Sequence, residues 1–100
     1  MARETSAGIA AWGDAAFGPA RDLFVLTARA RQELNEVEAA IATAAPADIA
    51  QEAADVAILL HRLVGLLGKE LADEVDAKMS INRQRQWRQS GDGVGQHIPE

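Results

Sequence analysis

The sequence predicts an all-α protein, a bundle of four helices in which the middle two form an αα-hairpin. Apolar residues recur at a spacing near 3.6 over residues 21–43, which is typical of one face of an amphipathic helix. Pro46 and Gly68 interrupt this kind of pattern, and the connections around them are short. Short connections make consecutive helices antiparallel neighbours.

The first two predicted helices differ in strength. Residues 5–16 are rich in alanine and contain Gly13, so we expect only a short, weak helix there. Pro19 suits the first turn of a helix because its missing N–H is not needed at that position. We therefore expect the second helix over residues 21–43.

The third and fourth helices follow from local signals. Asp48 with Gln51 three residues later resembles a capping box, which predicts the start of the third helix. Gly68 ends that helix, and the fourth is expected over residues 70–89. Residues 91–100 are glycine-rich and polar and are expected to form a flexible tail.

Length and composition favour a small protein that completes its core by self-association. One hundred residues fit a single domain, residues 1–100, and many of the apolar residues are alanines that bury little area. We therefore expect a homodimer or homotetramer. The formal net charge of -5 argues against a nucleic-acid polymer as partner. The sequence has no long apolar run, so we expect a cytoplasmic protein without membrane contact.

Two pairs of acids carry the main chemical signal. Glu33 and Glu36 are three residues apart, as are Glu52 and Asp55, and each spacing puts both side chains on one helical face. The two pairs lie at similar distances from Pro46, so they are expected to meet across the hairpin. Oxygen ligands of this kind favour Mg²⁺ or Mn²⁺. The alternative is a solvated acidic stripe without a metal ion.

Other catalytic arrangements fit the sequence less well. A di-iron bundle needs Glu-x-x-His pairs, which the acidic motifs lack. His61 lies nine positions after Glu52, on the opposite side of a helix, and is interpreted as a packing or surface residue. No Ser-His-Asp or Cys-His pattern is visible.

Two further groups are candidates for substrate binding. Lys78, Asn82 and Arg85 have the i, i+4, i+7 spacing of one stripe on the fourth helix. Trp12 and Phe17 are two of four aromatic residues. They either fill a gap between helices or stack on a base.

The acidic motifs, followed by Lys78-x-x-x-Asn82-x-x-Arg85, resemble the MazG-like superfamily of all-α nucleoside triphosphate pyrophosphohydrolases. The opening Trp12 and Phe17-Gly18-Pro19 resemble its small dATP/dGTP diphosphohydrolase branch. One departure is Gln32, where many relatives have a further acid, so the number of bound metal ions stays open.

The resemblance implies hydrolysis of a nucleoside triphosphate, with purine deoxynucleotides expected, to the monophosphate and pyrophosphate. It implies Mg²⁺, or Mn²⁺, as cofactor. The implied metal ligands are Glu33, Glu36, Glu52 and Asp55. Glu36 and Glu33 are the implied catalytic residues, and the general base is not chosen among the carboxylates.

The resemblance also gives roles to the second group. Lys78 and Arg85 would bind phosphates, Arg as a planar fork and Lys as a point charge. Asn82 would reach a phosphate or sugar oxygen, and Trp12 or Phe17 would stack on the base. The competing interpretation is a non-catalytic helical oligomerisation or interaction module.

Overall fold

The computed structural model describes residues 2–99, so Met1 of the predicted domain and Glu100 of the predicted tail lie outside the described residues. The elements are α1 (Ser6–Phe17), α2 (Leu23–Thr43), α3 (Pro46–Leu66), α4 (Leu71–Gln84), β1 (Trp87–Gln89) and β2 (Gly95–His97). The predicted all-α class and the four helices are confirmed, with a small β-hairpin added after α4.

Helices α2 and α3 form the predicted hairpin, and α3 is central because it packs against both α1 and α2. Asp22 caps α2 by accepting a hydrogen bond from Val25 N–H at 3.0 Å, which satisfies one of the free N–H groups of the first turn. The helix ends at Thr43, and its C-cap residue Ala44 takes the left-handed conformation with φ 55°. The chain then turns at once into α3.

Helix α3 starts two residues before the predicted N-cap. Its first residue is Pro46, and the N-cap position is Ala45, which has no side chain able to cap. The prediction of Asp48 as an N-cap with a capping box was therefore wrong. Proline sets the helical φ and has no N–H to satisfy, while the Asp48 carboxylate lies in the first turn near the positive end of the helix dipole.

Helix α1 is better formed than its composition predicts, because its start is capped and its packing is close. Thr5 accepts a hydrogen bond from Gly8 N–H at 3.0 Å. Glycine at two crossing positions lets α1 approach α3: a Cβ on Gly65 would collide with the backbone of Ser6, and one on Gly13 would lie 2.6 Å from Arg62 Nε.

The predicted fourth helix is five residues too long at its C-terminal end. Helix α4 ends at Gln84, and Arg85 has an extended backbone, so it leaves the predicted stripe of the helix. The indole N–H of Trp87 donates to Asn82 O at 2.8 Å and satisfies a carbonyl of the last turn. Helix propensity alone favours continuation through this segment, and the hairpin that follows overrides it.

The hairpin pairs β1 with β2 in antiparallel register, with Trp87 opposite His97. Gly91 and Gly93 have φ values of 87° and 94° and allow the chain to turn between the strands. Part of the segment predicted as a flexible tail is thus paired with β1, and its flexibility stays a prediction.

Few side chains are buried in the described part of the chain. The buried apolar residues include Leu26 and Ala30 of the predicted stripe on α2, whereas Leu34 and Ile41 of the same stripe are 47% and 56% exposed. Helix α4 makes few contacts with the other helices. None of the helices in residues 2–99 combines the length and apolarity needed to cross a membrane.

Candidate active site

Three of the four predicted acidic residues meet across the hairpin. Glu33 on α2 and Glu52 and Asp55 on α3 each offer a carboxylate oxygen, and these oxygens lie within 4.8 Å of one another. Glu33 and Glu52 are half-buried, and Asp55 is exposed. A hard divalent cation prefers such an all-oxygen donor set.

The charges of this cluster are only partly compensated. Arg29 Nη2 lies 3.1 Å from Glu33 Oε1, an ion pair one helical turn apart. Partial burial and the neighbouring carboxylates of Asp55, Glu36 and Glu33 raise the pKa of Glu52 above its ordinary value. The part of this rise that comes from the neighbouring carboxylates reflects negative charge that a bound cation would offset, so the residues fit a Mg²⁺ or Mn²⁺ site.

Glu36 lies at the edge of the cluster. It is exposed and is not part of the group of three, yet it is close enough to contribute to the raised pKa of Glu52. Its roles as metal ligand and catalytic residue stay predictions.

A cavity of about 620 Å³ opens beside the acidic cluster, within the range of small-molecule sites. Both acids and aromatic residues contribute to its wall. Its lining residues are Trp12, Phe17, Val25, Leu26, Arg29, Glu33, Asp55, Ile58, Leu59 and Arg62. The cavity therefore combines acidic residues with aromatic ones.

Trp12 and Phe17 are the aromatic residues of this wall. Their rings meet edge to face with centroids 5.3 Å apart, and the residues are 59% and 72% exposed. Neither side chain fills a closed gap between helices, which was one of the two interpretations of the sequence. Exposed rings that line a cavity are suited to stack on a flat ligand.

Arg62 is a component that the sequence analysis did not single out. It is 8% exposed, and its Nη2 donates to Asp14 Oδ1 at 3.0 Å and to Gly18 O at 2.9 Å. Arg62 follows Asp55 by seven residues and therefore lies on the same face of α3. This spacing is the feature of the sequence that could have indicated Arg62 as a site residue. The contact to Asp14 and Gly18 depends on how α1 packs, and spacing cannot reveal it.

The predicted stripe of Lys78, Asn82 and Arg85 does not line this cavity in the described residues. Lys78 is exposed. Asn82 has a buried side-chain oxygen without a hydrogen-bond partner, and Arg85 lies with Ile81 and His97 in a separate recess. Their substrate-binding roles stay predictions.

The structure also brings together a serine, a histidine and a carboxylate that are distant in sequence. Ser6 Oγ lies 2.7 Å from His61 Nδ1 and donates to Glu70 Oε2 at 2.8 Å. Ser6 has no exposed surface, so no substrate can reach its hydroxyl. This group joins three helices and is not a nucleophilic site.

These features define the class of protein. A helical hairpin that presents clustered carboxylates to an aromatic-lined cavity is the arrangement expected of a MazG-like domain. The structure is similar to the cyanophage S-2L MazG-like pyrophosphohydrolase bound to dGDP and three catalytic Mn²⁺ ions per active site. The TM-score is 0.74 at 35% sequence identity, covering 95% of this chain and 90% of that one.

The family follows from the sequence comparisons. The model of the dATP/dGTP pyrophosphohydrolase family matches residues 5–98, and the chain belongs to this family. It is 39% identical over 90 residues to a dATP/dGTP diphosphohydrolase of Salmonella phage PMBT28, covering 90% of this chain and 29% of that protein. It is 44% identical over 48 residues to the dATP/dGTP diphosphohydrolase of cyanophage S-2L, covering 48% and 46%. The chain thus spans less than half the length of these two relatives.

Proposed function

We propose that this protein is a metal-dependent nucleoside triphosphate pyrophosphohydrolase that converts dATP and dGTP to the monophosphate and pyrophosphate. The observation that carries the proposal is the cavity that combines the acids Glu33 and Asp55 with the aromatic residues Trp12 and Phe17. Such a cavity suits a ligand with a metal-bound polyphosphate and a flat base. The relatives named above act on dATP and dGTP, and the solved neighbour binds dGDP and Mn²⁺.

The acidic cluster supplies the metal site. Glu33, Glu52 and Asp55 would hold Mg²⁺ or Mn²⁺, with Glu36 as a further ligand or as the general base. A divalent cation there supplies charge neutralisation of the triphosphate and makes a water molecule more acidic. A carboxylate of the cluster that does not coordinate the metal ion could then accept the proton of the attacking water. The bond broken lies between the α- and β-phosphates.

Within residues 2–99, the cavity of a single chain lacks a free basic side chain next to the carboxylates to bind the triphosphate. The cavity wall includes Arg29, which is paired with Glu33, whereas Lys78, Asn82 and Arg85 lie elsewhere. We propose that these three residues bind the triphosphate in the cavity of a neighbouring copy. Self-association also accounts for large apolar side chains left exposed on the described surface, such as Phe24 at 82%.

A homodimer or homotetramer would therefore be the active form. We further propose a cytoplasmic location, where the nucleotide pool lies. The formal net charge of -5 fits a nucleotide substrate better than a nucleic-acid polymer, because a polymer would need a basic surface.

A product assay tests the proposed function. The purified protein is incubated with each common NTP and dNTP plus Mg²⁺ or Mn²⁺, and products are separated by anion-exchange chromatography. Monophosphate plus pyrophosphate from dATP and dGTP is the expected result, lost in Asp55→Asn. Diphosphate plus phosphate would contradict the cleavage position. If no nucleotide gives a product, the proposed enzymatic activity is wrong and a non-catalytic binding module is favoured.

A further inference from the structure

We propose that Arg62 determines the base preference of the cavity and makes it favour guanine over adenine. This inference rests on the proposed function, since it assumes that a purine nucleotide occupies the cavity. It follows from the position of Arg62, from its unused hydrogen-bond donors and from the different edges of the two bases.

Arg62 lies at the base end of the cavity. It follows Asp55 by seven residues on one face of α3, which corresponds to about 10 Å along the helix axis. The acidic cluster is thus at one end of the cavity floor and the guanidinium at the other, beside Trp12 and Phe17. A nucleotide with its phosphates at the carboxylates places its base next to Arg62.

The contacts of Arg62 within the chain use only part of its hydrogen-bonding capacity. A guanidinium has five N–H donors. Nη2 donates to Asp14 Oδ1 and Gly18 O, which occupies both of its hydrogens. Nε is buried against Gly13 and has no acceptor. Nη1 has no acceptor among the described residues either, and it belongs to a side chain that lines the cavity.

A purely structural role does not account for these unused donors. Burying a cation is costly unless its donors are satisfied, and the only carboxylate that pairs with Arg62 in residues 2–99 is Asp14, whose side chain is 39% exposed. The bonds to Asp14 and Gly18 hold the end of α1, and with it Phe17, against α3. They leave Nη1 available to a ligand in the cavity.

The donor-only character of arginine selects between the purines. Guanine presents two acceptors, N7 and O6, on the edge where adenine presents the acceptor N7 and the donor N6 amino group. Arginine cannot accept a hydrogen bond, so the adenine amino group would stay unpaired beside it. Nη1 has two hydrogens, which can donate to both N7 and O6 of guanine but only to N7 of adenine, and a bidentate pair discriminates between bases by roughly tenfold or more.

The test compares Arg62→Met with Asp14→Asn for dGTP, dITP and dATP. Arg62→Met keeps an unbranched side chain and removes every donor, whereas Asp14→Asn weakens the anchoring of α1 and keeps the guanidinium. The dGTP to dATP ratio of kcat/KM should fall roughly tenfold in Arg62→Met. The loss for dITP, which keeps N7 and O6, should match that for dGTP. Asp14→Asn should lower the values for all three nucleotides by similar factors.

An unchanged dGTP to dATP ratio in a folded Arg62→Met protein would overturn the proposal, as would a change of that ratio in Asp14→Asn as large as in Arg62→Met. Circular dichroism and thermal melting check folding. If Arg62→Met does not fold, Arg62→Gln replaces it. Its amide oxygen can accept from the adenine amino group, which arginine cannot do, so this variant should also lower the ratio.

If the wild-type protein hydrolyses no nucleotide, the proposed function fails separately. Calorimetric affinities for dGMP and dAMP with Mn²⁺ then decide the base preference in the same variants. A preference for dGMP that disappears in Arg62→Met supports the inference, and equal affinities in the wild type overturn it.

Discussion

Ser6 and Glu70 are joined by two hydrogen bonds, in which the backbone N–H and the hydroxyl of Ser6 donate to the two carboxylate oxygens at 2.9 and 2.8 Å. Ser6 Oγ also accepts the N–H of Leu71 at 2.9 Å and lies 2.7 Å from His61 Nδ1. A hydroxyl has one hydrogen to donate, so a donation to Glu70 assigns the hydrogen of the His61 contact to Nδ1. One buried side chain thus fastens the starts of α1 and α4 to α3.

Ser6→Ala should destabilise the fold by about 1–3 kcal/mol, because it leaves the buried partners of the hydroxyl unsatisfied. The free energy of unfolding is measured by urea denaturation followed by circular dichroism. Ser80→Ala is the matched control, since Ser80 is exposed on α4 and its hydroxyl makes no hydrogen bond among residues 2–99. Equal stability of the two variants would show that the Ser6 contacts add nothing to folding.

The same contact should make stability depend on pH. The hydrogen bonds from Ser6 N–H, from the Ser6 hydroxyl and from Ala72 N–H hold the pKa of Glu70 below its ordinary value of 4.5. A depressed folded-state pKa gives stability that is present above pH 4.5 and is lost as the pH falls through the folded pKa. Wild type should therefore exceed Glu70→Gln in stability at pH 7, and the difference should shrink below pH 4.5.

Denaturant titrations from pH 7 to pH 3 measure this difference. Repeating the comparison in a Ser6→Ala background is the control, because part of the cause of the low pKa is then removed and the change with pH should become smaller. A difference between wild type and Glu70→Gln that stays constant over this pH range would contradict the assignment.

The sequence predicted the elements whose signal is local. The apolar period of α2 and the break at Pro46 established the hairpin, and the two acidic motifs placed Glu33, Glu52 and Asp55 where they meet. These features need only helical geometry and a short connection.

Other features depend on contacts between distant segments. Helix α4 ends at Gln84, and the residues that follow pair with β2 in a hairpin, while Trp87 donates to Asn82 O. The contacts of Ser6 and Arg62 likewise depend on the close crossing of α1 and α3. Glycines permit this crossing, and the spacing of apolar residues does not predict it.

Metal ions should stabilise the folded protein through the acidic cluster. Ligands that bind only the native state raise its stability by mass action, by about 2.7 kcal/mol at a free concentration one hundred times Kd. We expect Mn²⁺ or Mg²⁺ to raise Tm in calorimetry and a chelator to reverse the rise. Glu52→Gln should abolish this response without lowering Tm in the absence of metal, because it removes a repelling charge.

Glu38→Gln is the control for the metal response. Glu38 is exposed on α2 and is not one of the three clustered acids, so its loss changes the net charge equally and should leave the response intact. A response lost equally in both variants would indicate general charge screening instead of a site.

A mixing experiment tests whether α4 serves the cavity of a neighbouring copy. Asp55→Asn removes a proposed metal ligand and Lys78→Ala removes a proposed phosphate contact, so each variant alone should have little activity. If Lys78 of one copy acts at the carboxylates of another, a mixed dimer contains one intact site. Random mixing should then recover about a quarter of wild-type activity.

Native mass spectrometry confirms that subunits exchange, and exchange without recovery would place Lys78 in the site of its own chain. Full activity of Lys78→Ala alone would remove this residue from the site.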